Sequence, residues 1–148
     1  MRRHPALIRA QAAQACVDRF SGRALKWGTV DCGKIALHNL RQLGISTAAW
    51  KGLDYTSEIG AAKALRQRGF GGLIDAMDAL DGAFRIPPAM ASTADIIGMA
   101  TDGELWDCGL VVRVSPQNVL GLVDGIVTPF QPDLRHAVAA WRCNPCRT

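Results

Sequence analysis

A chain of 148 residues with 49% hydrophobic and 20% charged content is neither disordered nor fibrous, and its length suits one domain around a single core. No apolar run approaches the ~20 residues that cross a bilayer, so no membrane span is expected. The formal charge of +4 is uneven, with nine Lys/Arg against two Asp/Glu in residues 1–51 and eight against eleven beyond; no aromatics interleave with the arginines and no helix-turn-helix signature is present, so no nucleic-acid partner is expected.

The N-terminus is rich in Arg and Ala. A signal peptide needs roughly 7–15 uninterrupted apolar residues, and Arg9, Gln11 and Gln14 interrupt this stretch. Residues 5–20 predict an amphipathic helix instead, with Leu7, Ile8, Ala12, Ala15, Cys16 and Phe20 at helical spacing. Pro5 fits its first turn and Ser21-Gly22 ends it. A connector carrying Trp27 and Gly28 leads to a second helix over Cys32 to Leu43. There Ile35, Ala36, Leu40 and Leu43 form one stripe, Asp31 stands at the N-cap and Gly44 at C′. Residues 57–68 predict a third helix with Ser57 as cap and Gly69 as stop, and Gly72 to Leu80 a short fourth.

The pattern then changes to short β-branched runs punctuated by Pro87-Pro88, Asp102-Gly103, Ser115-Pro116 and Asp124-Gly125. Asp124-Gly125 predicts a two-residue hairpin between Leu120–Val123 and Ile126–Phe130. Helices first and an antiparallel sheet after is the α+β class. No repeat or linker divides the chain, so one domain over 1–148 is expected.

Five cysteines (Cys16, Cys32, Cys108, Cys143 and Cys146) cannot all pair within one chain. Without an export signal, synthesis in a reducing cytoplasm is the simpler expectation. Cys143-Asn144-Pro145-Cys146 has the spacing of a metal or disulfide pair, but a metal usually needs four ligands. Cys143 and Cys146 are thus weak metal candidates; no metal and no cofactor is expected. Residues 143–148 read as a short C-terminal tail, free to reach a neighbour. Trp27, Trp50, Trp106 and Trp141 read as core or interface anchors.

Cys32 is the residue that carries chemistry. A thiol at a helix N-terminus faces free N–H groups and aligned peptide dipoles, which favour thiolate. The plain alternative is an ordinary buried cysteine. Trp27-Gly28 followed by Asp31-Cys32 at a helix start resembles the nucleophile motif of the NlpC-type papain-like endopeptidases. The whole succession resembles a family of small NlpC-like proteins of phage and prophage tail modules. The matching pieces are Leu25-Lys26-Trp27-Gly28-Thr29-Val30-Asp31-Cys32, Ala94-Asp95-Ile96-Ile97, Gly109-Leu110-Val111-Val112, Asp124-Gly125-Ile126-Val127 and Ala140-Trp141-Arg142, over roughly residues 5–142.

The resemblance implies a papain-like fold of the NlpC type, with N-terminal helices packed on an antiparallel sheet and Cys32 at the nucleophile position. The active peptidases begin the second strand with His-Val-Gly-Ile, and that histidine is the general base. Alignment on Gly109 puts Asp107 in its place. A carboxylate repels a thiolate and does not protonate a leaving amine near neutral pH. The three histidines do not replace it: His4 precedes the first helix, His38 lies about 240° around the helix from Cys32, and His136 sits in the C-terminal segment. The implied function is a structural or assembly component of a phage tail tip or tail-like particle. It would be made in the host cytoplasm, reside in the virion, and have other tail tip or hub proteins, and peptidoglycan, as partners. The alternatives are an active cysteine endopeptidase or amidase that cuts peptidoglycan during DNA delivery, and a cytosolic Cys-dependent acyltransferase or hydrolase.

Overall fold

Four helices precede six strands in the computed structural model, which describes residues 4–144. The helices are α1 (Pro5–Phe20), α2 (Cys32–Gln42), α3 (Glu58–Gln67) and α4 (Leu73–Asp78). The strands are β1 (Ala83–Arg85), β2 (Ile96–Met99), β3 (Gly109–Arg113), β4 (Val119–Val123), β5 (Ile126–Phe130) and β6 (Ala137–Cys143). They form one antiparallel sheet in the order β1-β6-β2-β3-β4-β5. The α+β expectation holds. Among the described residues no helix is long and apolar enough to cross a membrane.

Local chemistry sets the element ends as the sequence predicts. Asp31 Oδ1 accepts the Lys34 N–H at 2.9 Å and caps α2, and Gly44 beyond its end has φ +76°. Ser57 Oγ accepts the Gly60 N–H at 3.0 Å and caps α3. Asp124 and Gly125 both have positive φ, +51° and +78°, which is the twist that lets a two-residue turn join β4 to β5.

The main core lies between the helices and one face of the sheet. Cys16, Phe20, Ile35, Leu40, Met77, Ile96, Val112, Leu120 and Trp141 are all buried there. Each large side chain so placed contributes about 1.5–3 kcal/mol relative to exposure. α1 packs on α2, and α2 packs on β3. The opposite sheet face carries a smaller cluster of Ile97, Val111, Val119 and Ala140.

One buried carboxylate fastens the two ends of the domain. Asp95 is fully buried and accepts from Arg9 Nη2, from Arg142 Nε at 2.8 Å, and from the Cys143 and Ser92 amides at 3.0 and 2.9 Å. Arg9 also donates to the Cys143 carbonyl. The residue before it, Ala94, has φ +70° and is held by its N–H to Arg113 O at 2.7 Å and by Asn39 Nδ2 on its carbonyl at 2.9 Å. A non-glycine residue with φ > 0 is uncommon, and these two hydrogen bonds hold Ala94 there.

The boundary of the C-terminal tail needs correction. Cys143 pairs with Ala83 inside the sheet and is fully buried. It belongs to β6 because Asp95 and Arg9 grip its backbone on both sides. Cys146 lies outside the described residues, as do Arg2 and Arg3.

Candidate functional site

Cys32 is the first residue of α2, half-buried on the wall of a cavity of about 330 Å³. α2 and β3 place it together, and the backbone amides of Leu110, Gly33 and Cys32 each act to lower its thiol. These donors favour thiolate, yet burial outweighs them and pushes the thiol up to about 11, with the charge of Asp31 adding to the rise. At Cys32 the pull of the helix N-terminus toward thiolate is thus opposed by the larger effect of burial.

Asp31 is buried and satisfied on both oxygens. Oδ1 takes the Lys34 amide and the Tyr55 hydroxyl at 3.0 Å, and Oδ2 takes the Gly28 amide at 2.9 Å. The Trp27-Gly28 motif has a steric reason as well. Gly28 has φ +94°, and a Cβ there would sit 2.2 Å from the Tyr55 carbonyl oxygen. The motif thus builds the bend that brings Tyr55 onto the cap of α2.

Aromatic side chains wall the cavity. Trp27 stacks on Trp106 with centroids 5.9 Å apart and planes within 8° of parallel. The Trp106 indole N–H donates to Glu58 Oε2 at 3.0 Å, and that of Trp50 to the Ala76 carbonyl at 2.7 Å. Leu65, Leu73, Met99 and Cys108 line the interior. Trp141, by contrast, is pure core, fully buried with its N–H on Asp78.

Asp107 does not line this cavity. Its carboxylate accepts the Leu73 amide at 2.9 Å and the Ile74 amide at 3.2 Å, so it caps α4 from a distant loop. No imidazole lines the cavity either. His4 Nδ1 accepts the Ala6 amide and caps α1, His38 packs edge-on against Phe20 at 5.6 Å, and His136 is exposed beside Asp133. Cys32 is thus left with backbone donors and a second thiol, Cys108, whose own titration is raised to about 12 by burial, then by Asp107 and by Cys32.

A family model described as a domain of unknown function, DUF6950, matches residues 3–143. The chain belongs to that family. No curated protein and no solved structure matches it.

In this DUF6950 chain one weak metal candidate, Cys143, is fully buried in β6, and the other, Cys146, lies outside the described residues. Among the described residues, no three His, Cys, Asp or Glu side chains form a group that could hold a metal. Burial raises the Cys143 thiol to about 12, and metals bind the thiolate form. Sequence reasoning missed Tyr55, which reaches Asp31 across 24 residues. It also read Asp107 only by alignment. The one available signal for its capping role was Gly72 before a short helix: a Cβ at Gly72 would lie 2.4 Å from Asp107 Oδ2.

Proposed function

We propose that this DUF6950 chain is a structural component of a phage tail tip or related tail-like particle, on a papain-like scaffold of the NlpC type that has lost peptidase chemistry. The observation that carries the loss of chemistry is the fate of Asp107: the residue aligned with the general base caps α4 while no histidine lines the Cys32 cavity. An acyl-transferring thiolate needs a base within about 3 Å and a proton donor for the leaving group. A thiol raised to about 11 without an imidazole has neither. Support for the scaffold is the helix-borne Cys32 against an antiparallel sheet, and support for the tail role is the ordered set of motifs that resembles the tail-module proteins. On this reading the chain is made in the host cytoplasm and docks on tail tip or hub proteins.

The backbone amides of Leu110, Gly33 and Cys32, which act to lower the Cys32 thiol, favour a second reading, a cysteine endopeptidase or amidase acting on peptidoglycan. Two measurements separate them. Purified protein incubated with peptidoglycan sacculi should release no amines above a Cys32→Ser control, and mass spectrometry of purified particles should find the wild-type and Cys32→Ala chains equally incorporated. Cys32-dependent release of amines favours the peptidase; absence of the wild-type chain from particles removes the tail reading.

A further inference from the structure

The Cys32 cavity has a neighbour of different chemistry. A second cavity of about 300 Å³ adjoins it and shares Lys34, Leu37, Trp50 and Leu53. The two differ in chemistry. The first is walled by indole rings, aliphatic side chains and two thiols that burial keeps protonated. The second presents Lys34, Arg41 and Lys51 against one carboxylate, Asp54. Arg41 and Lys51 are exposed and make no ion pair among the described residues, and the Lys34 ammonium rests over the Tyr55 ring at 5.3 Å. The remaining acids near the first cavity are occupied: Asp31 by three donors, and Glu58 by the Trp106 indole.

An apolar chamber beside a net-positive one, with Lys34, Leu37, Trp50 and Leu53 lining both, matches a ligand with an apolar body and an anionic head. Ligand sites of small molecules fall at about 300–1,000 Å³ with a few convergent polar groups, and the two neighbouring cavities, about 330 and 300 Å³, each lie at the lower end of that range. From this juxtaposition we infer that the paired cavities bind an amphipathic anion, an alkyl chain carrying a carboxylate or phosphate head. The chain lies along Trp27, Trp106 and Cys32, and the head lies among Lys34, Arg41 and Lys51. Leu37 and Trp50 form the wall that both parts of the ligand touch. The site needs no chemistry at sulfur and stands whether or not the chain is a particle component.

The probes are laurate and dodecyl phosphate, each below its micelle threshold, against dodecanol, which lacks the charge, and inorganic phosphate, which lacks the chain. Two readouts report on the site: tryptophan emission, because three of the four indoles line the first cavity, and iodoacetamide labelling of Cys32 read on its own peptide by mass spectrometry. Both amphiphilic anions should shift the emission and shield Cys32, and the tighter of the two identifies a fatty-acid or a lipid-phosphate source. Dodecanol and inorganic phosphate should need about tenfold higher concentration or more. The double variant Arg41→Glu/Lys51→Glu should weaken laurate by about tenfold while keeping the fold by circular dichroism, since both side chains are exposed. The milder Lys51→Gln should weaken it less. Equal binding of laurate and dodecanol, no shielding of Cys32 by either anion, or indifference to the charge reversal would overturn the inference. So would shielding by a short peptide with a Trp flanked by acidic residues where laurate gives none; that result would mark a protein-docking site instead.

Discussion

The carboxylate of Asp107 accepts the Leu73 amide at 2.9 Å across 34 residues, and Gly72 leaves the space in which it does so. The loop before β3 therefore holds the start of α4. Removing a capping carboxylate costs about 0.5–2 kcal/mol. Asp107→Ala should lower stability to urea by about that much, and Gly72→Ala by a similar amount through displacement of the same carboxylate. The double variant should be less harmful than the sum, because both changes break one contact. Strict additivity in the double-mutant cycle would mean that Gly72 and Asp107 act separately.

Gly28 is tested by a single methyl. Its φ of +94° strains any L side chain, and a Cβ would meet the Tyr55 carbonyl at 2.2 Å. A left-handed backbone costs roughly 1–2 kcal/mol outside glycine, and overpacking adds about 1–3 kcal/mol. Gly28→Ala should thus lose about 3 kcal/mol in chemical denaturation. A loss below half of that would show the bend to be soft.

Asp95 gathers two guanidinium groups and two amides in the interior. Removing one partner of a buried ion pair leaves uncompensated charge and costs about 3–5 kcal/mol. Asp95→Ala should approach the whole stability of a domain of this size, and soluble yield will fall with it. Arg142 is partly exposed, so Arg142→Gln should cost clearly less. Equal effects would place the stabilisation in the Arg142 ion pair alone.

Alkaline pH should unfold the domain through its thiols. Burial raises Cys16, Cys108 and Cys143 from the ordinary 9.0 to about 12 and Cys32 to about 11. A group whose folded value is raised gives its full stability below the unfolded value and loses it as pH climbs toward the folded one. The urea midpoint should be flat with respect to these groups from pH 7 to 8.5 and fall steadily from pH 9 to 11. Cys16→Ala should flatten that slope. The rate of iodoacetamide labelling at Cys32 should keep rising with pH up to about 11; a plateau near pH 8 would mean a thiolate far more stable than its surroundings permit.

Short-range chemistry explains which parts of the fold were readable beforehand. Asp31, Ser57, Gly44 and Asp124-Gly125 act within four residues of themselves, so composition and spacing reveal them. Helical periodicity placed Ile35 and Leu40 in the core for the same reason. What stayed hidden depends on partners remote in sequence. Asp107 looks like an aligned catalytic position until α4 arrives beneath it. Cys143 looks like a polar tail until Asp95 and Arg9 take hold of its backbone. Tyr55 sits in a stretch with no periodicity and gains its meaning only from Asp31. Cys32 itself was found correctly at the start of α2, but its protonation is set by burial against elements remote in sequence.

The position of β6 bears on how the protein is made. Among the described residues it is the last strand, and yet it lies between β1 and β2. During synthesis β1 must wait without a neighbour, and the edge of β2 stays open, until residues 137–143 leave the ribosome. Open strand edges invite pairing with other chains. A nascent or prematurely terminated chain therefore presents a gap the width of one strand, which β6 fills by pairing with β1 and β2 while Arg142 joins Arg9 on Asp95.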